Sequence, residues 1–198
     1  MFRFIETIRL ENGHLPDLSY HQARVDRALR EVVGQAAKID LFHHLSTYPL
    51  PPTGLHKIRV VYDDQIRSVE ISSYSIRPVT RLKLVESPTI AYPHKFENRA
   101  ELESLFQARG PCVDIIITKN NEITDASMAN LLFKRGNKWV TPVSYLLNGT
   151  MRKHLLDKKI ITEDRIQADD LPRYEKVKLI NAMMPFDGPE IDVSNIVQ

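Results

Sequence analysis

Three groups of residues have the types and the spacing to do chemistry together. Lys95, a primary amine, sits in Tyr92-Pro93-His94-Lys95-Phe96-Glu97-Asn98-Arg99. About thirty residues on, Glu122-Ile123-Thr124-Asp125-Ala126-Ser127-Met128-Ala129-Asn130-Leu131-Leu132-Phe133 reads as a carboxylate on a turn before an apolar strand. Gly149-Thr150-Met151-Arg152 then opens a helix, and helix amino ends attract anions such as phosphate. Taken together, an amine, a carboxylate on a turn before an apolar strand and an anion-binding helix start suit a covalently held, phosphorylated cofactor. Taken singly, each has a plain structural reading: a solvent lysine, a turn residue and a helix start.

The elements that must position these groups are legible in outline. Phe2 to Leu10 alternates apolar and polar, as a strand does, and Glu11-Asn12-Gly13 supplies a tight turn, so the opening reads as a hairpin. Ser19 is placed to cap a helix with Val25, Ala28, Leu29, Val32 and Val33 on one face and His21, Arg24, Arg27 and Arg30 on the other. A second helix near Ala36 to Leu45 ends before Pro49, Pro51 and Pro52. Ile58 to Tyr62 and Ile66 to Ile76, parted by Asp63-Asp64, are rich in β-branched residues and read as paired strands. Pro78 marks a lobe boundary, giving an amino-terminal lobe over 1–78 and a carboxy-terminal lobe over 79–198 that carries Lys95.

Beyond the boundary the pattern predicts a strand at Leu82 to Val85, a helix from about Asn98 to Arg109 stopped by Gly110, and a strand at Val113 to Ile117. Strands follow at Ala129 to Lys134 and Trp139 to Val140, turned by Gly136-Asn137; then come a helix from Met151 to Lys159 and a strand at Val177 to Ile180. The class is α+β, with many turns and no repeat.

Composition narrows the function by exclusion. The 198 residues can bury a sizeable core as one domain or two small lobes. A formal net charge of +2 gives no field that implies nucleic acid. One cysteine, Cys112, permits no intrachain disulfide and fits a small core position in a reducing compartment. No stretch approaches the ~20 apolar residues of a membrane span, and the amino terminus has no apolar signal core, so the expected location is the cytoplasm. P-loop and dinucleotide glycine motifs, a His-Glu-x-x-His metal helix and a hydrolase serine elbow are all missing, and no metal is expected.

The ordered set of short motifs resembles the class IV, fold type IV, pyridoxal phosphate aminotransferases, and within them the 4-amino-4-deoxychorismate lyases. Ile5-Glu6-Thr7 resembles the opening F-E-[TS] and His21-Gln22-Ala23-Arg24 the H-x-x-R. Lys95-Phe96-Glu97-Asn98-Arg99 is similar to K-x-x-N-R, and Ile123-Thr124-Asp125 with Ala129-Asn130-Leu131 to V-T-E followed by A-N-[IL]. Gly149-Thr150-Met151-Arg152 resembles G-[IV]-[TM]-R, while Asp169-Asp170-Leu171 and Asn181-Ala182-Met183-Met184-Pro185 resemble the closing D-L and N-A-x-M-P.

The resemblance implies a small amino-terminal α/β lobe, a larger carboxy-terminal pseudo-barrel lobe, a homodimer and bound pyridoxal 5'-phosphate. Lys95 would be the Schiff-base lysine and proton shuttle, its pKa lowered by desolvation beside the cofactor. Asp125 would face the ring nitrogen and keep it protonated. Thr150 and Met151 would offer phosphate-binding amides and Arg24 a guanidinium, with Asn130 also at the cofactor. Asp125 stands where the family usually has Glu, a reach shorter by about 1.5 Å, which a closer backbone or a water would make up. The family's leading D-R and G-D-G segment has no counterpart before the F-E-T strand. The arginine for a substrate carboxylate is open among Arg9, Arg67, Arg77 and Arg99. The implied reaction is expulsion of pyruvate from aminodeoxychorismate to leave 4-aminobenzoate; transamination of branched-chain or D-amino acids, and a non-catalytic cofactor-binding relative, are the alternatives.

Overall fold

The computed structural model describes residues 2–34, 38–76 and 78–198. By the pattern of internal contacts the chain divides into two units, Met1–Ile76 with His94–Asn98, and Arg77–Pro93 with Arg99–Gln198. Lys95 is therefore grouped with the amino-terminal unit, because the main chain around it is bonded to the first strand: Ile5 N donates to Lys95 O at 2.9 Å and Glu97 N to Arg3 O at 2.8 Å. A division in simple chain order at residue 78 does not capture that return.

The first unit is a three-stranded antiparallel sheet, β1 (Phe4–Glu11), β2 (Leu55–Tyr62) and β3 (Ile66–Ser73), in the order β1-β2-β3. Two helices, α1 (Leu18–Ala28) and α2 (Leu41–Ser46), complete it. The Asn12-Gly13 turn exists, with both residues at positive φ and Glu11 and His14 exchanging backbone hydrogen bonds, yet it closes no hairpin. The partner of β1 is β2, some forty residues later, in a register running from Phe4↔Tyr62 to Glu11↔Leu55. Pro16 cannot donate to a ladder, and the chain turns into α1 immediately afterwards.

The cap of that helix is two residues earlier than Ser19, at Asp17 in a left-handed conformation, and makes no side-chain capping hydrogen bond. Its buried residues are His21, Arg24, Val25 and Ala28, spaced i, i+3, i+4 and i+7. His21 and Arg24 thus share the inward stripe with the apolar residues, contrary to the outer face expected for them. A π-helical turn, Leu29–Val33, extends α1 to Gly34, whose φ of 74° ends it. Ala36 and Ala37 of the expected second helix lie outside the described residues; the helix itself begins at Leu41, where the Asp40 carboxylate accepts from His43 N.

The second unit holds β4 (Leu82–Glu86), α3 (Ala100–Gln107), β5 (Asp114–Lys119), β6 (Glu122–Ala126), β7 (Asn130–Arg135), β8 (Lys138–Pro142), α4 (Thr150–Asp157), β9 (Thr162–Asp164), β10 (Lys176–Ile180), β11 (Ile191–Asp192) and β12 (Ile196–Val197). Its sheet runs β11-β10-β7-β6-β5-β4-β12, with β8 pairing β7 and β9. The β4–α3–β5 crossover makes a parallel pair, and the antiparallel β5–β6–β7 meander follows. β7 is buried on both faces. Leu131 and Phe133 pack with Ile116, Ile123 and Val177 on one side, while Leu132 packs with Met151 and Leu155 of α4 on the other. Those two α4 residues, one turn apart, fix where the helix begins. Among the described residues no helix is long and apolar enough to cross a membrane.

Candidate active site

In the first unit, parity along β1 sets up a buried charge. Phe4, Ile8 and Leu10 face the core, and Glu6 shares their side of the strand with 0% exposure. An ionised carboxylate there requires partners. Arg24 supplies them as a fork, Nε to Oε1 at 2.8 Å and Nη2 to Oε2 at 2.5 Å, and His21 Nδ1 donates to Oε2 at 2.6 Å. Burial pushes the Glu6 carboxyl up, but the guanidinium and the imidazole outweigh it and bring the pKa down to about 2. Two donors of Arg24 are thereby spent on Glu6, so that side chain is held rigidly. Glu6 and His21 were not singled out for this role from sequence; the signal was the parity of Glu6 with the apolar residues of β1.

Lys95, half-buried, lies on the segment that returns to β1, with its carbonyl accepting from Ile5 N. Phe96 next to it is bridged to Phe4 and stacked on it at 5.3 Å between ring centroids, and His94 meets Phe4 edge-on. The amine is thus carried on a main chain anchored at both neighbours.

The second unit brings together the other predicted residues. Asp125 is not on a turn: it lies within β6, directly opposite Asn130 on β7, and is 5% exposed. Three amide N–H groups hold its carboxylate. Asn130 Nδ2 donates to Oδ1 at 2.8 Å, while Leu146 N and Leu147 N donate to Oδ2 at 3.1 and 2.9 Å. Of the roughly four acceptor positions of a carboxylate, one on Oδ1 is left unfilled among the described residues. Burial raises the pKa of Asp125 to about 6, against the opposing pull of the Leu147, Asn130 and Leu146 hydrogen bonds and the Arg152 charge. A carboxylate so placed gains from a protonated partner.

The loop that grips Asp125 leads straight into α4. Gly149 is its N-cap and offers no side-chain cap, so the amides of Thr150, Met151 and Arg152 precede the first helical hydrogen bond, Lys153 N to Gly149 O. Arg152 is 2% exposed, its Nη2 bonded to Pro142 O and Glu163 Oε1 and its guanidinium over the Tyr145 ring at 4.1 Å. Its Nε is buried with no hydrogen-bond partner among the described residues. Uncapped amides, an orphaned cationic N–H and a carboxylate with one acceptor to spare therefore occur within one unit. These residues fit an anionic group at the helix and a protonated ring nitrogen at the strand.

The four candidates for a substrate arginine fare differently. Arg9 bonds Glu11, Arg67 bonds Asp63 and Asp64, and Arg99 Nη2 donates to Ser127 O at 2.7 Å. Arg77 lies outside the described residues.

Comparison with known proteins gives the family and the fold. An uncharacterized protein of Haemophilus influenzae is 34% identical over 186 residues, covering 92% of this chain and 98% of the relative. The crystal structure of a protein from Haemophilus somnus 129PT, provisionally named a 4-amino-4-deoxychorismate lyase, superposes with a TM-score of 0.89 at 31% identity, covering 96% of this chain and 98% of that one. An aminotransferase from Brucella abortus, bound to the cofactor PLP, has a TM-score of 0.73 over 98% of this chain and 81% of its own; at 14% identity that likeness concerns the fold alone. The model of one family, amino-transferase class IV, matches residues 3–186, and with nearly the whole length accounted for, this is the family to which the chain belongs.

Proposed function

We propose that the chain is a pyridoxal 5'-phosphate enzyme with an aminodeoxychorismate lyase-like reaction. The observation that carries the reading is the Asp125 carboxylate, buried on β6 with one acceptor unused and tied by two amides to the loop that opens α4. When bound, the cofactor supplies an aldehyde for covalent attachment and a pyridinium ring that takes up electrons released at the substrate α-carbon. Asp125 holds the proton on the ring nitrogen. Thr150 and Met151 bind the phosphate through their amides, and Arg24, kept in one orientation by Glu6, adds a guanidinium. The Lys95 amine would take the proton from the α-carbon of the substrate; the electrons released break the neighbouring C–O bond, enolpyruvate leaves and takes up a proton to become pyruvate, and 4-aminobenzoate remains.

The provisional name of the Haemophilus somnus relative favours this reaction over transamination, in which the site would accept an amino acid and a keto acid in turn. A dimer of two such chains, in the cytoplasm, is the form we assign to the working enzyme.

The test is the absorption spectrum of the purified protein with added pyridoxal 5'-phosphate, before and after borohydride, beside Lys95→Ala. A band that borohydride fixes to the wild type and not to the variant is the expected result; attachment to both removes Lys95 from the site. Aminodeoxychorismate should then yield pyruvate, whereas stoichiometric conversion to the pyridoxamine form by amino donors would select transamination. If no band forms, the chain is a non-catalytic relative. The same preparation should elute as a dimer, and a strict monomer at micromolar concentration would remove the second subunit from the proposal.

A further inference from the structure

Gly149 has ordinary extended backbone angles, φ −68° and ψ 148°, so no left-handed conformation calls for glycine there. Space does. A Cβ added at Gly149 would lie 2.1 Å from Asn130 Oδ1, far inside contact distance, and a tight 3.3 Å from its Cγ. The carboxamide oxygen occupies the room where a side chain would begin.

The nitrogen end of that carboxamide is committed elsewhere. Asn130 Nδ2 donates to Asp125 Oδ1 and to Leu147 O, both at 2.8 Å. Both partners are acceptors, which fixes the orientation of the amide. A primary amide has two hydrogens, so this nitrogen has none left for a ligand. Asn130 also faces Asp125 directly across β6 and β7, so its own backbone is held by the sheet.

We infer that Asn130 is a positioning residue and not a cofactor contact, and that Gly149 is glycine because the Asn130 carboxamide stands in its side-chain space. The pair spans the gap between the Asp125 carboxylate and the first turn of α4. This rests on the reading of Asp125 as the partner of the ring nitrogen. The carboxamide is planar and stiff, so a methyl group at 149 that displaces Oδ1 also displaces Nδ2 and breaks its hydrogen bond to Asp125. Losing a donor to the charged form raises the pKa of Asp125. A substitution at a residue that does not touch Asp125 therefore changes the titration of Asp125.

The experiment is a double-mutant cycle on the full chain with Gly149→Ala, Asn130→Ala and the double variant. Each is read by carbon-13 titration of the Asp125 carboxyl without cofactor, and by absorbance titration with pyridoxal 5'-phosphate. Both single variants should titrate Asp125 at a higher pH than the wild type does. Both should weaken cofactor binding by roughly 10- to 100-fold, as when the hydrogen-bond partner of a ligating side chain is removed. In the Asn130→Ala background the added methyl has nothing to meet, so the double variant should match Asn130→Ala in both readouts. An unmoved Asp125 in Gly149→Ala, or an equal effect of that substitution with and without Asn130, overturns the proposal. If Gly149→Ala alone does not fold, recovery of folded protein in the double variant is the expected result and continued failure the overturning one. A wild type that binds no cofactor defeats the functional reading instead, and leaves the carboxyl titration to decide this one.

Discussion

Two buried carboxylates, one in each unit, are treated in opposite ways. Glu6 is met by a guanidinium and an imidazole that occupy it, and its pKa falls to about 2. Asp125 is bonded by amide groups and feels the Arg152 charge without pairing to it, keeps one acceptor unused among the described residues, and its pKa climbs to about 6. The first arrangement is closed: its charge is neutralised within the protein and serves to hold Arg24. The second is open, because the amide hydrogen bonds and the Arg152 charge do not offset the cost of burying the carboxylate. A buried anion without a countercharge is costly on its own and most favourable toward an arriving cation. The difference separates a charge that builds the protein from a charge that awaits a ligand.

The comparison breaks most severely at Arg24. Arg24→Ala leaves Glu6 buried beside only His21, and we expect a loss of about 3–5 kcal/mol in urea unfolding, the usual cost of removing one member of a buried ion pair. A loss below about 1 kcal/mol would mean that Glu6 takes up a proton easily and that the first site is no more closed than the second.

Next in size is the pH dependence, which should have opposite signs in the two units. Glu6 has its folded pKa below the ordinary 4.5, so its contribution is complete above that value and is lost as pH falls toward about 2. Asp125 has its folded pKa above the ordinary 3.8, so the folded state holds the proton more tightly; its contribution is present below 3.8 and is lost as pH rises through about 6. Each shift of about two units corresponds to about 3 kcal/mol. Stability of the cofactor-free protein across pH 2 to 8 should therefore have a shallower low-pH slope in Glu6→Gln, where Asp63 still contributes, and a shallower slope between pH 4 and 6 in Asp125→Asn, where Asp114 still contributes. Identical profiles for wild type and Asp125→Asn would show that Asp125 is not the open site described.

The smallest expected effect sharpens the comparison. His21→Gln removes one of the donors to Glu6 and leaves the Arg24 fork, which should lower the urea midpoint by an amount equivalent to about 1 kcal/mol. A loss as large as that of Arg24→Ala would make the imidazole, and not the guanidinium, the principal countercharge.

Local pattern carried much of this architecture. The β-branched runs around Ile58 and Val69 announced β2 and β3, and Gly136-Asn137 announced the β7–β8 turn, because both signals lie within a few residues of what they specify. What the pattern missed depends on distant partners. Asn12-Gly13 makes its turn, but nothing near it says that β1 pairs with Leu55–Tyr62. Aspartate is a poor strand residue, so Asp125 read as a turn, until burial and the Asn130 pairing placed it in β6. Arg24 and His21 read as solvent-facing because they are polar; the stripe they share with Val25 and Ala28 makes sense only with Glu6 opposite. β11 and β12 are two residues each, too short for any periodicity.

The short turn between β6 and β7 sets a length that cannot vary. Ala126 N donates to Ala129 O across Ser127 and Met128, and this closure is what sets Asp125 opposite Asn130. One residue added or removed there would shift the pairing by a step and turn a different side chain toward Asp125. Leu131 and Leu132 point to opposite cores, so β7 cannot slide to compensate. Insertions are thus expected to be tolerated at the exposed Gly136-Asn137 turn at the far end of the same strand and refused at Ser127-Met128, which makes the spacing of the site a matter of counting residues in a single loop.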